Sequence, residues 1–226
     1  MRAVAKRIAA LLPSGMRQSV QKAWYSYRIK TGDFTHNEPE FARLDSWVSS
    51  GDLVLDIGAN LGIYTCRLSK LVGTAGRVIA FEPVPETFRY LIHNSRLFPH
   101  PNTTFLNMAV SSRSAFVVMQ VPMTATGIPA SALASIDDNQ DGNTHGLTIL
   151  CMPLDQMVFT QRITFVKIDV EGHEFQVIKG MMSIIRKDRP RFVIEGNDEA
   201  IRSLLVDELN YKHEIMPNSP NSIFHP

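Results

Sequence analysis

The stretch Asp56 to Thr65, Asp-Ile-Gly-Ala-Asn-Leu-Gly-Ile-Tyr-Thr, limits most strongly what this chain can fold into. It follows the apolar run Leu53-Val54-Leu55 and leads into a segment whose Ile63, Leu68 and Leu71 share one side of a helix. Strand, glycine turn and helix in that order open a parallel α/β unit. Gly58 and Gly62 let the chain reverse and let the backbone approach a ligand closely. The dinucleotide fingerprint places glycine first in such a turn, with a pyrophosphate on the helix N-terminus. Here aspartate stands first. Its carboxylate repels a pyrophosphate and suits a ligand carrying an ammonium or sulfonium charge.

The same alternation continues along the chain. Strands are expected at 53–57, 77–82, 103–107, 163–168 and 191–195, and helices at 62–71, 85–94, after Glu174, and at 198–209. Pro39 suits the first turn of a helix in which Phe41, Leu44, Trp47 and Val48 share a face. Gly180 interrupts the helix after Glu174 without necessarily stopping it. Tyr211–Met216 and Ser222–Phe224 fit a terminal antiparallel hairpin. The fold class is therefore α/β, Rossmann-like, with a mostly parallel central sheet, helices on both faces and a C-terminal antiparallel hairpin. The alternation breaks between 115 and 152, where strands 115–121 and 147–152 flank a long polar segment. That segment, about 122–146, is expected to be either a substrate lid over the carboxyl end of the sheet or plain disorder.

Acidic residues fall at or just beyond four strand ends: Asp56, Glu82, Asp169 and Glu195. In a parallel sheet these ends share one edge, so carboxylates distant in sequence can converge. Glu82, ending the second strand, is placed to accept hydrogen bonds from two ribose hydroxyls. Taken singly, each acid is equally well a helix cap or a solvated turn.

Four segments carry a resemblance to a known family: Val54-Leu55-Asp56-Ile57-Gly58-Ala59-Asn60-Leu61-Gly62, Val78-Ile79-Ala80-Phe81-Glu82-Pro83, Asn107-Met108-Ala109-Val110-Ser111 and Val166-Lys167-Ile168-Asp169-Val170-Glu171-Gly172-His173-Glu174. In that order they resemble the FkbM-type methyltransferases, over about residues 41–226. The resemblance implies a class I methyltransferase that uses S-adenosylmethionine to methylate a hydroxyl on a sugar, glycan, polyketide or related metabolite. It implies that Asp56, Gly58, Ala59, Asn60 and Gly62 surround the methionine part of the cofactor, that Glu82 holds the ribose, that Met108, Ala109 and Val110 border the adenine, and that Asp169 closes the pocket. Histidine at 173 departs from the small residue common there.

An alcohol is a weak nucleophile at neutral pH, so a base must take its proton. His173, Glu171 and Asp169 are the catalytic candidates, with His145 behind them. His173 has a reference pKa near neutrality, but a solvent-facing residue at a helix start is the competing reading. Glu171 equally suits a first-turn acid. A divalent cation held by Asp169, Glu195 and Asn197 is compatible with the sequence and not required by it.

Charge sets the first 40 residues apart from the body at 41–226. Residues 1–32 hold seven basic residues and no acid, leaving 16 basic against 22 acidic in the rest. Candidate helices at 2–12 and 16–29 make a basic amphipathic arm that either lies on an anionic membrane surface, docks on a partner or packs on its own domain. A net charge of +1 gives no electrostatic case for nucleic acid. With no apolar run near the roughly 18 residues of a membrane span and no signal-peptide pattern, the expected location is cytoplasmic, with membrane-peripheral contact as the arm's option. Cys66 and Cys151 match no metal or redox spacing. The competing functions are a non-catalytic cofactor-binding scaffold and an NAD-dependent oxidoreductase, the latter disfavoured by Asp56. Neither the acceptor's identity nor the oligomeric state is encoded in any motif.

Overall fold

The computed structural model describes residues 13–122, 134–136 and 146–226. The expected helix at 2–12, most of the 122–146 segment and His145 lie outside the described residues.

Helix α1 (Ser14–Thr31) comes first, then the short α2 (Pro39–Arg43), which runs on as a tighter turn through Leu44–Ser46. β1 (Leu53–Ile57), α3 (Ile63–Val72), β2 (Arg77–Phe81), α4 (Pro85–Ser95) and β3 (Thr103–Leu106) build the first alternating half. β4 (Ala109–Val110), β5 (Ala115–Gln120), β6 (Ser135–Ile136) and β7 (Leu147–Met152) follow. β8 (Ile163–Ile168), α5 (Glu174–Lys179), α6 (Met182–Asp188), β9 (Arg191–Glu195), α7 (Glu199–Arg202), β10 (Lys212–Ile215) and β11 (Asn221–His225) complete the chain.

The main sheet has seven strands in the order β10-β11-β9-β8-β1-β2-β3. β9, β8, β1, β2 and β3 run parallel, and β10 and β11 form the antiparallel hairpin with β11 inserted against β9. β1 is buried at every position, as a strand covered on both faces must be. On one face Leu55, Ile57, Val166 and Ile168 pack against Val177, Ile178 and Ile185 of α5 and α6. On the other, Val54, Val78, Phe165 and Val193 pack against Phe41, Leu44, Tyr64 and Leu68 of α2, its extension and α3.

The break in alternation has a structural cause that periodicity did not reveal. β5 and β7 pair antiparallel and, with β4 and β6, make a separate four-stranded sheet in the order β4-β7-β5-β6. Gly180 ends α5 rather than merely interrupting it. A Cβ there would lie 2.0 Å from the Ser111 carbonyl oxygen, so main chain rests on main chain and the next helix restarts at Met182. Asp155 anchors the restart, its carboxylate accepting from the Ser183 and Ile184 amides at 2.8 and 3.1 Å.

The described part of the basic arm, α1, packs on the domain. In α1, Gln21 accepts from the Tyr90 hydroxyl at 2.6 Å, Ser26 Oγ bonds His93 Nε2 at 3.2 Å, and Tyr25 meets Tyr90 and Phe34 edge-on. At the opposite pole of the chain, Asn221 on β11 donates from its buried amide to Glu40 on α2.

Candidate functional site

The parallel order places the carboxyl ends of β2, β1, β8 and β9 side by side, and with them Glu82, Asp56, Asp169 and Glu195. Gly58 turns out of β1 at φ 82°, and both it and Ala59 donate their amides to Phe81 O, at 3.0 and 2.9 Å. A Cβ on Gly58 would fall 1.8 Å from the Asp169 carbonyl oxygen, so the turns after β1 and β8 touch through bare backbone. Asn60, also left-handed at φ 50°, directs its amide to Glu82 Oε2 at 2.9 Å, while Val84 N donates to Oε1 at the same distance. These two bonds fix the carboxylate of Glu82 across the mouth of the first turn.

Gly62 takes a different part from the expected one. Its side-chain position points at Leu91 and Phe98, 2.6 and 2.9 Å from an added Cβ, and it lines none of the cavities described here. It lets the start of α3 lie against α4 and the turn that follows it, so it shapes the turn from outside.

Two cavities flank the first turn. One is lined by Gly58, Asn60, Glu82, Met108, Ala109, Val110 and Asp169, together with Glu171 and His173. Met119, Ala134 and Ile136 of the four-stranded sheet and its flank close it from the side. The other is lined by Asp56, Ala59, Tyr64, Lys167 and His36, and shares Gly58, Asn60 and Asp169 with the first. Of the ten residues expected to surround a cofactor, nine therefore border one cavity or the other.

Lys167 was not singled out by sequence, yet it lines the second cavity. Its side chain is almost wholly buried, with Nζ 3.3 Å from Asp169 Oδ2 and 5.1 Å from the centre of the Tyr64 ring. Tyr64 in turn donates its hydroxyl to Glu38 at 2.6 Å. A lysine inside the apolar run Ile-Thr-Phe-Val-Lys-Ile was the available signal, since a buried charge needs a partner.

The carboxyls differ sharply in their protonation. Burial raises Asp56 to about 6, against the opposing Thr65 hydroxyl, which donates to it, and the Lys167 ammonium. Burial likewise raises Glu82 to about 7, although two backbone amides favour its charged form. For Asp169, burial pulls upward, but the Lys167 ammonium and a hydrogen bond from Glu195 outweigh it and hold the group below its ordinary range. Glu195 is raised, first by burial and then by that shared hydrogen bond and the Asp169 charge. The two carboxyls are thus pushed apart, Asp169 toward the charged form and Glu195 toward the neutral one. Glu171, strained at φ 54°, is raised by burial and by the neighbouring Asp169 and Glu174 charges.

Oxygens of Asp169, Glu171 and Glu195 lie within 4.8 Å of one another, the grouping among the described residues able to approach a cation together. His173 occupies the start of α5, where its carbonyl accepts from Gln176 and Val177. Contrary to a solvent-facing helix start, its ring is buried, with Nε2 2.9 Å from Ser111 Oγ.

The site combines an apolar wall able to cover a flat ring, a fixed carboxylate able to accept from paired hydroxyls, and an anionic end suited to a cation. A model of the methyltransferase FkbM domain matches residues 56–212. The hexuronic acid methyltransferase AglP of Haloferax volcanii is 29% identical over 172 residues, covering 75% of this chain and 64% of that protein. The crystal structure of a methyltransferase FkbM from Methylobacillus flagellatus KT superposes with a TM-score of 0.58 at 17% identity, covering 84% of this chain and 50% of that one. The chain thus spans less than two thirds of either relative's length.

Proposed function

The chain belongs to the FkbM methyltransferase family, and from that premise we propose that it transfers a methyl group from S-adenosylmethionine to a hydroxyl of a sugar or a related small metabolite. The observation that carries the reading is the cavity at the carboxyl edge, where Gly58, Glu82, Met108 to Val110 and Asp169 meet although they come from four separate segments. Its residues fit the cofactor. The ionised Asp169 suits a cationic amino-acid end, and bare backbone at Gly58 lets the turn after β8 bring Asp169 against the first turn.

When bound, S-adenosylmethionine supplies an electrophilic methyl group on a sulfonium, open to in-line displacement. The two oxygens of Glu82, each already accepting one backbone amide, keep lone pairs for the ribose hydroxyls. Met108, Ala109 and Val110 border the base with apolar surface. Asp56 and Asp169 flank the methionine end from the second cavity. We assign proton acceptance from the acceptor hydroxyl to the Asp169–Glu171 side of the cavity, with Glu195 sharing its proton with Asp169. His173, engaged with Ser111, holds the start of α5 in this scheme. The nearest chemical hint to the acceptor is the hexuronic acid in the name of the Haloferax protein.

Calorimetry with S-adenosylmethionine, S-adenosylhomocysteine and NAD tests the first half of the proposal. Binding of both sulfur compounds and not NAD is expected. Binding of NAD alone would return the oxidoreductase reading, and binding of the cofactor without turnover on any acceptor would favour a scaffold. Incubation with uronic-acid-containing and neutral glycans, followed by mass spectrometry for an added methyl group, tests the second half.

A further inference from the structure

Helix α1 is turned the wrong way round for a surface helix. A helix packed on a domain normally buries its apolar stripe and exposes its polar face. Here the inward contacts are made by Gln21, Tyr25 and Ser26, while Met16, Val20, Trp24 and Tyr27 point outward and are 56%, 50%, 55% and 56% exposed. Their spacing puts them on one stripe about 16 Å long, and Trp24 and Tyr27 stack on each other with ring centres 6.0 Å apart.

We propose that this face of α1 docks the protein in the plane of an anionic lipid surface. Three observations favour that occupant. Residues 14–32 carry Arg17, Lys22, Arg28 and Lys30 and no acidic residue, with Asp33 just past the helix end, so the helix that bears the stripe is net positive. Outward Trp and Tyr present an apolar body with a polar edge, the side-chain type that settles at the headgroup boundary. The body of the protein carries the opposite charge balance, 16 basic against 22 acidic residues beyond position 32, so an anionic surface attracts the arm and turns the rest away. A second copy of the chain fits less well, because two such helices would bring like charges together. Among the described residues no helix is long and apolar enough to cross a membrane, so the attachment is peripheral.

The hydrogen bond that Gln21 accepts from Tyr90 and the one between Ser26 and His93, both residues of α4, hold the stripe outward before any surface is met. The docking face is therefore pre-formed on the folded domain. Docking is separate from the methyl-transfer reading, since no residue of α1 lines either cavity.

Flotation of the full chain with vesicles of phosphatidylcholine alone, and with vesicles that also contain phosphatidylglycerol, tests the proposal. The protein should float with the anionic vesicles only and be released by high salt. Trp24→Glu should reduce that partition by about tenfold or more, since it places a charge repelled by the lipid in the centre of the stripe. A Trp47→Phe background isolates the emission of Trp24, which should shift to the blue on anionic vesicles. Because Trp24 is exposed, the variant's melting temperature should match the parent's, which separates lost docking from lost fold. Absence of the parent from the vesicle fraction, or equal flotation of Trp24→Glu, would overturn the proposal. So would a dimer seen by light scattering that Trp24→Glu dissociates in the absence of lipid binding, since the stripe would then belong to a second copy.

Discussion

Gly58 and Gly172 sit in equivalent places, each in the turn after a central parallel strand, and each has a left-handed backbone, at φ 82° and 93°. Their surroundings differ completely. Around Gly58 an added Cβ would strike the Asp169 carbonyl oxygen at 1.8 Å, whereas around Gly172 nothing lies within 4 Å. The first turn needs glycine for space as well as for backbone freedom, and the second needs it for backbone freedom only. The crowded turn belongs to the framework that joins β1 to β8, while the open one presents Glu171 to the cavity. One glycine is a structural joint and the other a flexible mount for chemistry.

The largest effect should come from crowding the joint. Gly58→Ala should cost upward of about 4 kcal/mol, from the clash plus the unfavourable backbone, and abolish S-adenosylmethionine binding. Chemical denaturation and calorimetry measure both, and a well-folded variant with parental affinity would break the comparison. Next comes the buried cation under the two turns. Lys167→Met leaves Asp56 and Asp169 without their positive neighbour and should cost about 3 kcal/mol, at the lower end for a broken buried pair because the Asp169 side chain is 39% exposed. Denaturant unfolding checks this, and a loss near zero would mean that Lys167 does not compensate the two acids.

Glu82→Gln probes the brace of the crowded turn and should weaken the cofactor by about 2 kcal/mol, the range for a hydrogen bond to a charged group. It also carries a pH signature. Burial raises the folded-state pKa of Glu82 from 4.5 to about 7, so the folded protein holds a proton more tightly than the unfolded chain does. The stability this contributes is complete below 4.5 and lost as pH rises through 7. The stability of the parent relative to Glu82→Gln should accordingly fall across that window, as read from melting temperatures at a series of pH values. A difference that is flat with pH would reject the assignment. The smallest effect belongs to the open turn, where Gly172→Ala should cost about 1–2 kcal/mol, from backbone strain alone. Its cofactor affinity should stay at the parental level in the same calorimetry.

Much of this was legible in sequence, and the reason differs from residue to residue. β1, β2, β8 and β9 announce themselves because strands buried on both faces are nearly continuous apolar runs. Glu82 and Asp169 stand at strand ends, where position along the chain implies position along the sheet edge, whereas Met108 to Val110 are candidates through the family resemblance alone. What escaped is contact between segments with no common period. Lys167 meets Tyr64 across 103 residues, and His173 meets Ser111 across 62. The walls supplied by Met119 and Ile136 depend on a second sheet that local patterning shows only as two strands. Gly180 ends its helix because Ser111 stands behind it, a reason absent from the helix's own residues.

The buried link between Glu40 and Asn221 joins positions 181 apart in the chain. A ribosome makes Asn221 181 residues after Glu40, so the carboxylate waits through that stretch of synthesis for its partner. The alternating units between them close through shorter loops and are free to form first, while the edge of the main sheet is sealed last. Slowing or deleting strand 221–225 should therefore leave a long-lived chain with its cofactor edge assembled and its flank open, a form that a chaperone rather than a ligand would be the first to meet.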